Sequence, residues 1–429
     1  MKIFLDSVGC RLNQSEIDRF AHEILAAGHD VVFTPGEADL TIINTCAVTT
    51  SAASTSRQKS RRAARDGTGG IVLTGCWASL YPERAALLPK VETVIGNNAK
   101  DQLVSDLLGS ETIPETASRA IAGRIQGGTL RTRAFIKVQD GCDCRCTFCV
   151  TTLARGKSRS RSIEQILELV QEALEEDRKE IVLTGVQLGA WGLDLRPRLH
   201  LADLIRAILS STAVPRLRLS SIEPWNLDAG FFELWQDDRL CAHLHLPLQS
   251  GSDRILQLMN RRTSLEAFRT LANQARRAIP DLALTTDLIV GFPGESVTDF
   301  EQSLDFVREL QFAGGHVFSY SPRPGTRAAI MPGRVAQSQL HERSARMRAV
   351  LNAGERCFKQ SQIGTVAEVL WEGSATRRRN GWQLRGWSRN HLPIQAIAPS
   401  TRTNLTDRVR LTTLDGDSLW GEILTSNDS

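Results

Sequence analysis

The first hundred residues repeat one rhythm, a short apolar run followed by a stretch with apolar residues every three or four positions. The runs are KIFLD, DVVF, LTIINTC, GIVLTGC and TVIGN, and between them lie NQSEIDRFAHEILAAG and a polar segment around TSRQKSRRA. Apolar strands alternating with helices predict a parallel sheet, and residues 1–110 are expected to form an open α/β domain. The polar stretch LGSETIPETASRAIAGRIQGG, residues 108–128, reads as a linker. The rhythm resumes at RAFIKVQ and continues through EIVLTG, RLRLSS, HLHLPLQ, LALTTDLIVGF and GHVFSY, with amphipathic helices such as SIEQILELVQEALEED between them. Six such units without a second sheet signature predict a complete or partial (β/α) barrel over residues 128–358, with its chemistry at the C-terminal strand ends. A helical segment at 336–361 leads into VAEVLWEG, GWQLRGWS, HLPIQAIA, RVRLTTLDG and SLWGEIL, expected to form a small antiparallel β-barrel over 360–426. The fold class is therefore α/β with a β-rich tail.

Composition narrows the chemistry. With 429 residues, 41% hydrophobic and 23% charged, the chain fits two or three packed domains and no disordered class. No stretch approaches the roughly 18 uninterrupted apolar residues of a membrane helix. MKIFLDSVGC resembles a lipoprotein leader ending at Cys10, but its apolar run is short and contains Asp6. A cytoplasmic protein with no membrane contact is the expectation, and there nine cysteines stay reduced and point to metal before disulfides. Three of them, Cys10, Cys46 and Cys76, each follow a predicted strand directly. Ends of parallel strands face one crevice, so these thiols are expected to converge; the alternative is three unrelated buried cysteines.

Four more cysteines crowd into GCDCRCTFCV at 141–150. Cys142, Cys146 and Cys149 make C-x3-C-x2-C; Cys144, Cys146 and Cys149 make C-x-C-x2-C; all four together would make a zinc site. Structural zinc usually takes two knuckles separated by an intervening segment, which this spacing lacks, and an extended loop would turn Cys144 elsewhere. Three thiolates suit a cubane iron–sulfur cluster with one iron left open.

VQDGCDCRCTFCVTTLARGKSRSR resembles the cluster loop of radical S-adenosylmethionine (SAM) enzymes. With Cys10, Cys46, Cys76 and the β-rich tail, the whole chain is similar to the methylthiotransferases of that superfamily. VGCRLNQSE, INTCAVTT, VLTGC, VLTGVQLGAWG, LRLSSIEP, HLHLPLQSGSD, TDLIVGFPGE and YSPRPGTRA agree. The resemblance implies an N-terminal α/β domain with a second cluster, a six-stranded partial barrel and an RNA-binding β-domain called TRAM. It makes Cys142, Cys146 and Cys149 the ligands of the catalytic [4Fe-4S] cluster, puts Cys144 at a variable position, an ordinary side chain or else a substitute ligand during damage or assembly, and gives Cys10, Cys46 and Cys76 a second [4Fe-4S] cluster that carries sulfur. It further implies that SAM chelates the open iron and is cleaved reductively, and that a second SAM donates the methyl group. An external electron donor such as a flavodoxin or ferredoxin is implied too, with a sulfur donor that no motif identifies.

Candidate SAM contacts lie at the strand ends: Thr184, Gly185, Ser221, Glu223, Gln249, Asp287 and Gly291, the glycines because a bare backbone allows close approach to a ligand. The competing reading of each polar residue is a satisfied structural hydrogen bond. His243 and His245 alternate on one strand and read as barrel interior.

The net charge of +4 leaves any nucleic-acid binding to local clusters. Between Arg377 and Arg410 there are eight arginines and one acidic residue, Asp407, interleaved with Trp382 and Trp387. On a small β-barrel, with Arg377, Arg378 and Arg379 in one run, this suits RNA backbone contacts and base stacking. Arg57, Arg61 and Arg65 repeat every four residues on a predicted helix as a second basic stripe. The partner is expected to be tRNA and the protein a monomer. Within the family, ribosomal-protein enzymes typically read LGCPKN and isopentenyladenosine enzymes GCQMN. GCRLNQSE with the basic TSRQKSRRA is nearer to the enzymes that modify C2 of N6-threonylcarbamoyladenosine next to the tRNA anticodon. A non-catalytic iron–sulfur RNA-binding protein would keep the cysteines and tail but need no SAM pocket.

Overall fold

The computed structural model describes residues 1–109 and 132–424; the expected linker lies, from residue 110 onward, outside them. The strands β1 (Lys2–Ser7), β2 (Asp30–Val32), β3 (Leu40–Thr45), β4 (Gly70–Gly75) and β5 (Val91–Ile95) form one parallel sheet in the order β2-β1-β3-β4-β5. Its neighbours in sequence alternate faces. Ile42 and Val72 pack with Phe20 and Ile24 of α1 (Arg11–Ala26), whereas Ile43, Ile71 and Leu73 pack with Ala63 and Ala64 of α2 (Thr50–Asp66). Burial on both faces is why the strands read as unbroken apolar runs. The strand order reverses between β1 and β3, and that is where an open α/β sheet leaves its crevice.

The next strands are β6 (Arg133–Asp140), the two-residue antiparallel β7 (Arg159–Ser160), β8 (Glu180–Gly185), β9 (Leu217–Leu219), β10 (His243–His245), β11 (Ala283–Val290) and β12 (Gly314–Ser319). β6, β8 and β9 pair in parallel, as do β10, β11 and β12, and a parallel bridge from Ser221 to His245 joins the two sets. The six predicted strands thus stand side by side in chain order as a partial barrel. Helices such as Ile163–Glu175, opened by a capping box from Ser162 and Gln165, cover its outside. The long helix Gln337–Ser361 packs along β12.

The tail forms β13 (Val366–Trp371), β14 (Thr376–Arg378), β15 (Gly381–Ser388), β16 (Pro393–Ala398), β17 (Thr406–Asp415) and β18 (Ser418–Ile423). The order β13-β17-β18-β16-β15 closes on itself because β13 also pairs with β15. The result is a closed five-stranded barrel around Val369, Trp371, Leu384, Ile394 and Leu419. It departs from the antiparallel expectation at one seam, where β16 and β18 run parallel. β14 hangs on β15 outside the closed ring.

Candidate metal centres

The three N-terminal thiols sit at the C-terminal ends of three adjacent strands. Cys10 is the residue before α1, Cys46 follows β3 and Cys76 opens a short helix after β4. Their loops touch: Gly9 has φ of 108° and a Cβ placed there would lie 2.6 Å from the Cys46 sulfur, so only glycine fits. Asn13 ties the same loops, its amide donating to Val8 O at 2.7 Å and Thr45 O at 3.2 Å. Cys10 stays solvent-exposed while protein surrounds it closely enough for burial to raise its thiol, as expected on the floor of an open recess. Burial pushes Cys46 up to about 11, and the neighbouring Cys76 and Cys10 add to the rise.

Cys142, Cys144, Cys146 and Cys149 lie in the loop after β6, at the barrel's C-terminal end. Cys142 N–H donates to Gly156 O at 3.1 Å, and Thr147 N–H donates to Met259 O at 3.0 Å. Phe148 packs on the cluster of Ile255, Met259 and Phe292. Cys144 does not turn away. The loop is irregular, so strand alternation does not apply, and Gln187 Nε2 donates to Cys144 Sγ at 3.2 Å while Cys142 Sγ meets Gln187 Oε1 at 3.3 Å. Its hydrogen bond to Cys142 lowers Cys144 to about 7 and, with burial, raises Cys142. Burial pushes Cys146 up to about 11, against the opposing charge of Arg261.

Between the two thiol groups runs a chain of buried charge. Arg155, 2% exposed, donates from Nε to the Cys76 sulfur at 3.3 Å, from Nη1 to Glu16 at 3.0 Å and Asp140 at 2.9 Å, and from Nη2 to Asn13 Oδ1 at 2.9 Å. Lys100 meets Glu16 at 2.7 Å, and Lys137 meets Asp140 at 3.3 Å and Glu16 at 3.5 Å. Burial chiefly raises the Cys149 thiol, against the hydrogen bonds it shares with Thr151. None of these charged residues was singled out from sequence. The available signal was their position inside or beside the cysteine motifs, as with Asn13 and Glu16 in CRLNQSE and Arg155 in LARGKSR.

The donor type at both cysteine groups, thiol sulfur, fits iron–sulfur ligation. Among the described residues no three His, Cys, Asp or Glu side chains converge on one ion position. Each group instead offers three sulfurs beside buried guanidinium, Arg155 for one and Arg261 for the other, which suits thiolates held on separate irons of an anionic cluster.

The predicted strand-end residues are placed unevenly around this loop. Glu223 binds the buried Arg261 at 2.6 Å, and that guanidinium lies 4.5 Å from the centre of the Trp225 ring. Asp287 meets His245 at 3.3 Å and keeps a buried Oδ1 without a hydrogen-bond partner. His243 and His245 both hydrogen-bond Thr285 Oγ1, at 3.1 and 2.9 Å, within the barrel. Gln249 has φ of 73° and pairs through its backbone with Asp287 and Ile289. Ser221 bridges β9 to β10, and Thr184 is buried at the end of β8. The glycines serve packing: the bare face of Gly291 is filled by Leu340, and that of Gly185 by Gln139, 3.0 Å from a would-be Cβ. Gln139, overlooked in sequence, accepts from Gln187 N–H at 2.8 Å and donates to Gly141 O at 2.8 Å, shaping the cysteine loop.

Of the arginines, Arg377, Arg378 and Arg379 are exposed, with Arg377 lying 5.4 Å from the centre of the Trp382 ring. Trp387 is half-buried and stacks on His391 at 4.5 Å, with Arg133 at 5.3 Å from its ring centre. On α2, Arg61 and Arg65 are exposed and Arg57 lies 5.8 Å from the centre of the Trp77 ring.

Residues 136–307 match the Radical SAM superfamily, and residues 2–96 match Uncharacterized protein family UPF0004. A Thermotoga maritima protein named threonylcarbamoyladenosine tRNA methylthiotransferase MtaB is 36% identical over 377 residues, 86% of each chain. A Sphingopyxis alaskensis protein named tRNA-2-methylthio-N(6)-dimethylallyladenosine synthase is 33% identical over 431 residues, 97% of this chain and 96% of that one. The radical SAM methyltransferase TsrM of Kitasatospora setae shares the fold, with a TM-score of 0.58 at 16% identity, covering 77% of this chain and 75% of that one.

Proposed function

The chain belongs to the radical SAM methylthiotransferases, and we propose that it inserts a methylthio group at C2 of N6-threonylcarbamoyladenosine in tRNA. The observation that carries this reading is the buried seam that ties the two cysteine sets together, in which Arg155, just after the barrel's cysteine loop, donates to the Cys76 sulfur at 3.3 Å. Cys142, Cys146 and Cys149 would hold one [4Fe-4S] cluster and the N-terminal thiols a second. With SAM, such clusters supply the radical C–H activation and the sulfur that no side chain can. The chain's own residues do the rest. The Arg261–Glu223 pair holds a fixed positive charge against Cys146, Gln187 braces Cys142 and Cys144, and the buried Asp287 Oδ1 waits for a donor at the barrel mouth.

Two features favour threonylcarbamoyladenosine over dimethylallyladenosine: the stretch GCRLNQSE with the basic TSRQKSRRA, and the name carried by the Thermotoga maritima and Bacillus subtilis relatives, 36% and 33% identical. Exposed Arg377, Arg378 and Arg379 beside Trp382, on a closed barrel of the TRAM kind, would hold the tRNA backbone. Mass spectrometry of tRNA nucleosides from a strain lacking this protein tests the substrate. Loss of the 2-methylthio group from threonylcarbamoyladenosine is expected, and its loss from dimethylallyladenosine instead would overturn the assignment. Anaerobic protein should carry about eight irons, and one zinc without sulfide would end the cluster reading.

A further inference from the structure

We propose that Arg155 is a positioning residue that locks the N-terminal thiols to the barrel's cysteine loop and raises the reduction potential of the cluster those thiols hold. The inference rests on the reading that Cys10, Cys46 and Cys76 carry an iron–sulfur cluster.

Arg155 ends the helix Thr151–Arg155, which begins two residues after Cys149, so its backbone moves with the barrel loop. Its side chain belongs to the other side of the seam, donating to Cys76 at 3.3 Å, Asn13 at 2.9 Å and Glu16 at 3.0 Å. A second tie runs beside it, because Asn97 Nδ2 donates to Ala154 O at 2.8 Å and lies 3.8 Å from the Cys76 sulfur. Spacing between the two cysteine groups is therefore fixed by a guanidinium and an amide, and not by apolar packing alone.

Arg155, Lys100 and Lys137 face Glu16, Asp140 and, at the solvent edge, Asp101, so the seam is balanced in charge. The guanidinium's Nη groups are taken by Glu16, Asp140 and Asn13, and its Nε is the donor directed at the Cys76 sulfur. A reduced cluster is one charge more negative than an oxidised one, so a nearby cation and an N–H···S hydrogen bond stabilise the reduced form preferentially. Glu16 and Asp140 hold the guanidinium in the plane that aims Nε at sulfur, which a lysine could not reproduce in geometry although it would keep the charge.

The test is an anaerobic redox titration followed by electron paramagnetic resonance. To isolate the N-terminal signal, it uses the full chain with Cys142→Ala, Cys146→Ala and Cys149→Ala. Adding Arg155→Gln should lower the midpoint potential, with the reduced-to-oxidised ratio at fixed potential falling about tenfold, about 59 mV for one electron. Arg155→Lys should recover part of that shift. An unchanged potential in a fully assembled Arg155→Gln cluster would overturn the proposal, since a merely structural arginine would alter assembly but not potential. Should Arg155→Gln fail to assemble, pulsed resonance on protein with the native arginine, grown with 15N-arginine, decides. A 15N coupling to the reduced N-terminal cluster supports the contact, and its absence refutes it. Failure to find any cluster in the protein lacking only the barrel cysteines would instead remove the underlying reading.

Discussion

Two buried ionic clusters join the N-terminal sheet, the partial barrel and the tail, and they differ in where they end. The seam between the N-terminal sheet and the barrel runs through Glu16, Lys100, Lys137, Asp140 and Arg155 and finishes on a sulfur. The seam between the barrel and the tail is built on Glu180, which binds Arg216 at 3.1 Å and Arg218 at 2.7 Å, all fully buried. Those arginines then donate to backbone carbonyls of the tail, Trp387 O at 3.0 Å, Ser388 O at 3.2 Å and Arg389 O at 2.9 Å. A carbonyl keeps its charge through every catalytic state, so the second seam is a dock. A thiolate holding iron would not, so on the proposed cluster reading the first seam would be coupled to the chemistry beside it.

The sharpest way to break this contrast is Glu16→Gln. It leaves Lys100 and Arg155 buried without their shared carboxylate, and removing one partner of a buried pair costs about 3–5 kcal/mol. The denaturant midpoint should fall accordingly, and iron bound by the N-terminal cysteines should fall with it. Glu180→Gln also removes one partner of a buried pair and should cost a comparable amount, about 3–5 kcal/mol, since Arg218 loses its carboxylate and keeps only carbonyl acceptors. Its effect should appear as faster amide exchange in residues 366–423, with iron content unchanged. Equal iron loss in both variants would erase the distinction between dock and coupling.

Acid probes the two seams together. Burial alone would raise the Glu16 carboxyl, but Lys100, Arg155 and Lys137 outweigh it and hold it well below the usual carboxylate value; Glu180 is likewise driven down by Arg218 and Arg216. A depressed carboxyl stabilises fully above its unfolded value and loses that contribution as pH falls toward its folded one. Both seams should therefore stay closed from neutral pH down to the ordinary carboxylate range and loosen only below it. Amide exchange across a pH series measures this, and Glu180→Gln should flatten the tail's share.

The smallest effect on the fold is expected at Arg377, Arg378 and Arg379. Changing all three to Ala should move stability by no more than about 0.5 kcal/mol. If each contacts a phosphate, the slope of log tRNA affinity against log salt should shrink by about 2 to 3 units. An unchanged slope would take this run out of the tRNA site.

What could be read in advance follows the same contrast. The positions of Cys10, Cys46 and Cys76 were legible because KIFLD, LTIINT and GIVLTG are apolar runs, the last two buried on both faces, with the thiols at or just beyond their ends. Both seams were hidden, because their charged side chains sit in helix and strand patterns that ordinarily face water, and their partners lie far along the chain. Arg155 and Glu16 are 139 positions apart. The tail's five long strands alternate clearly, yet nothing local marks the β13–β15 pairing that closes them or the parallel β16–β18 seam. The half-burial of Trp387 was not legible because its cover, His391 and Arg133, comes from a turn and a distant strand.

β14 was missed for a similar reason, since ThrArgArg has no alternation to detect, and its place outside the ring has a consequence of another kind. A closed barrel offers no open backbone to a neighbouring molecule, but among the described residues β14 pairs only with β15 and leaves one edge bare. Bare edges invite strand addition between molecules, and natural sheets deter it with charge. Arg377 and Arg378 on that edge, and Arg379 just after it, repel the same segment of any second copy. Whatever else they contact, they keep the tail from templating aggregation while the chain waits for a partner.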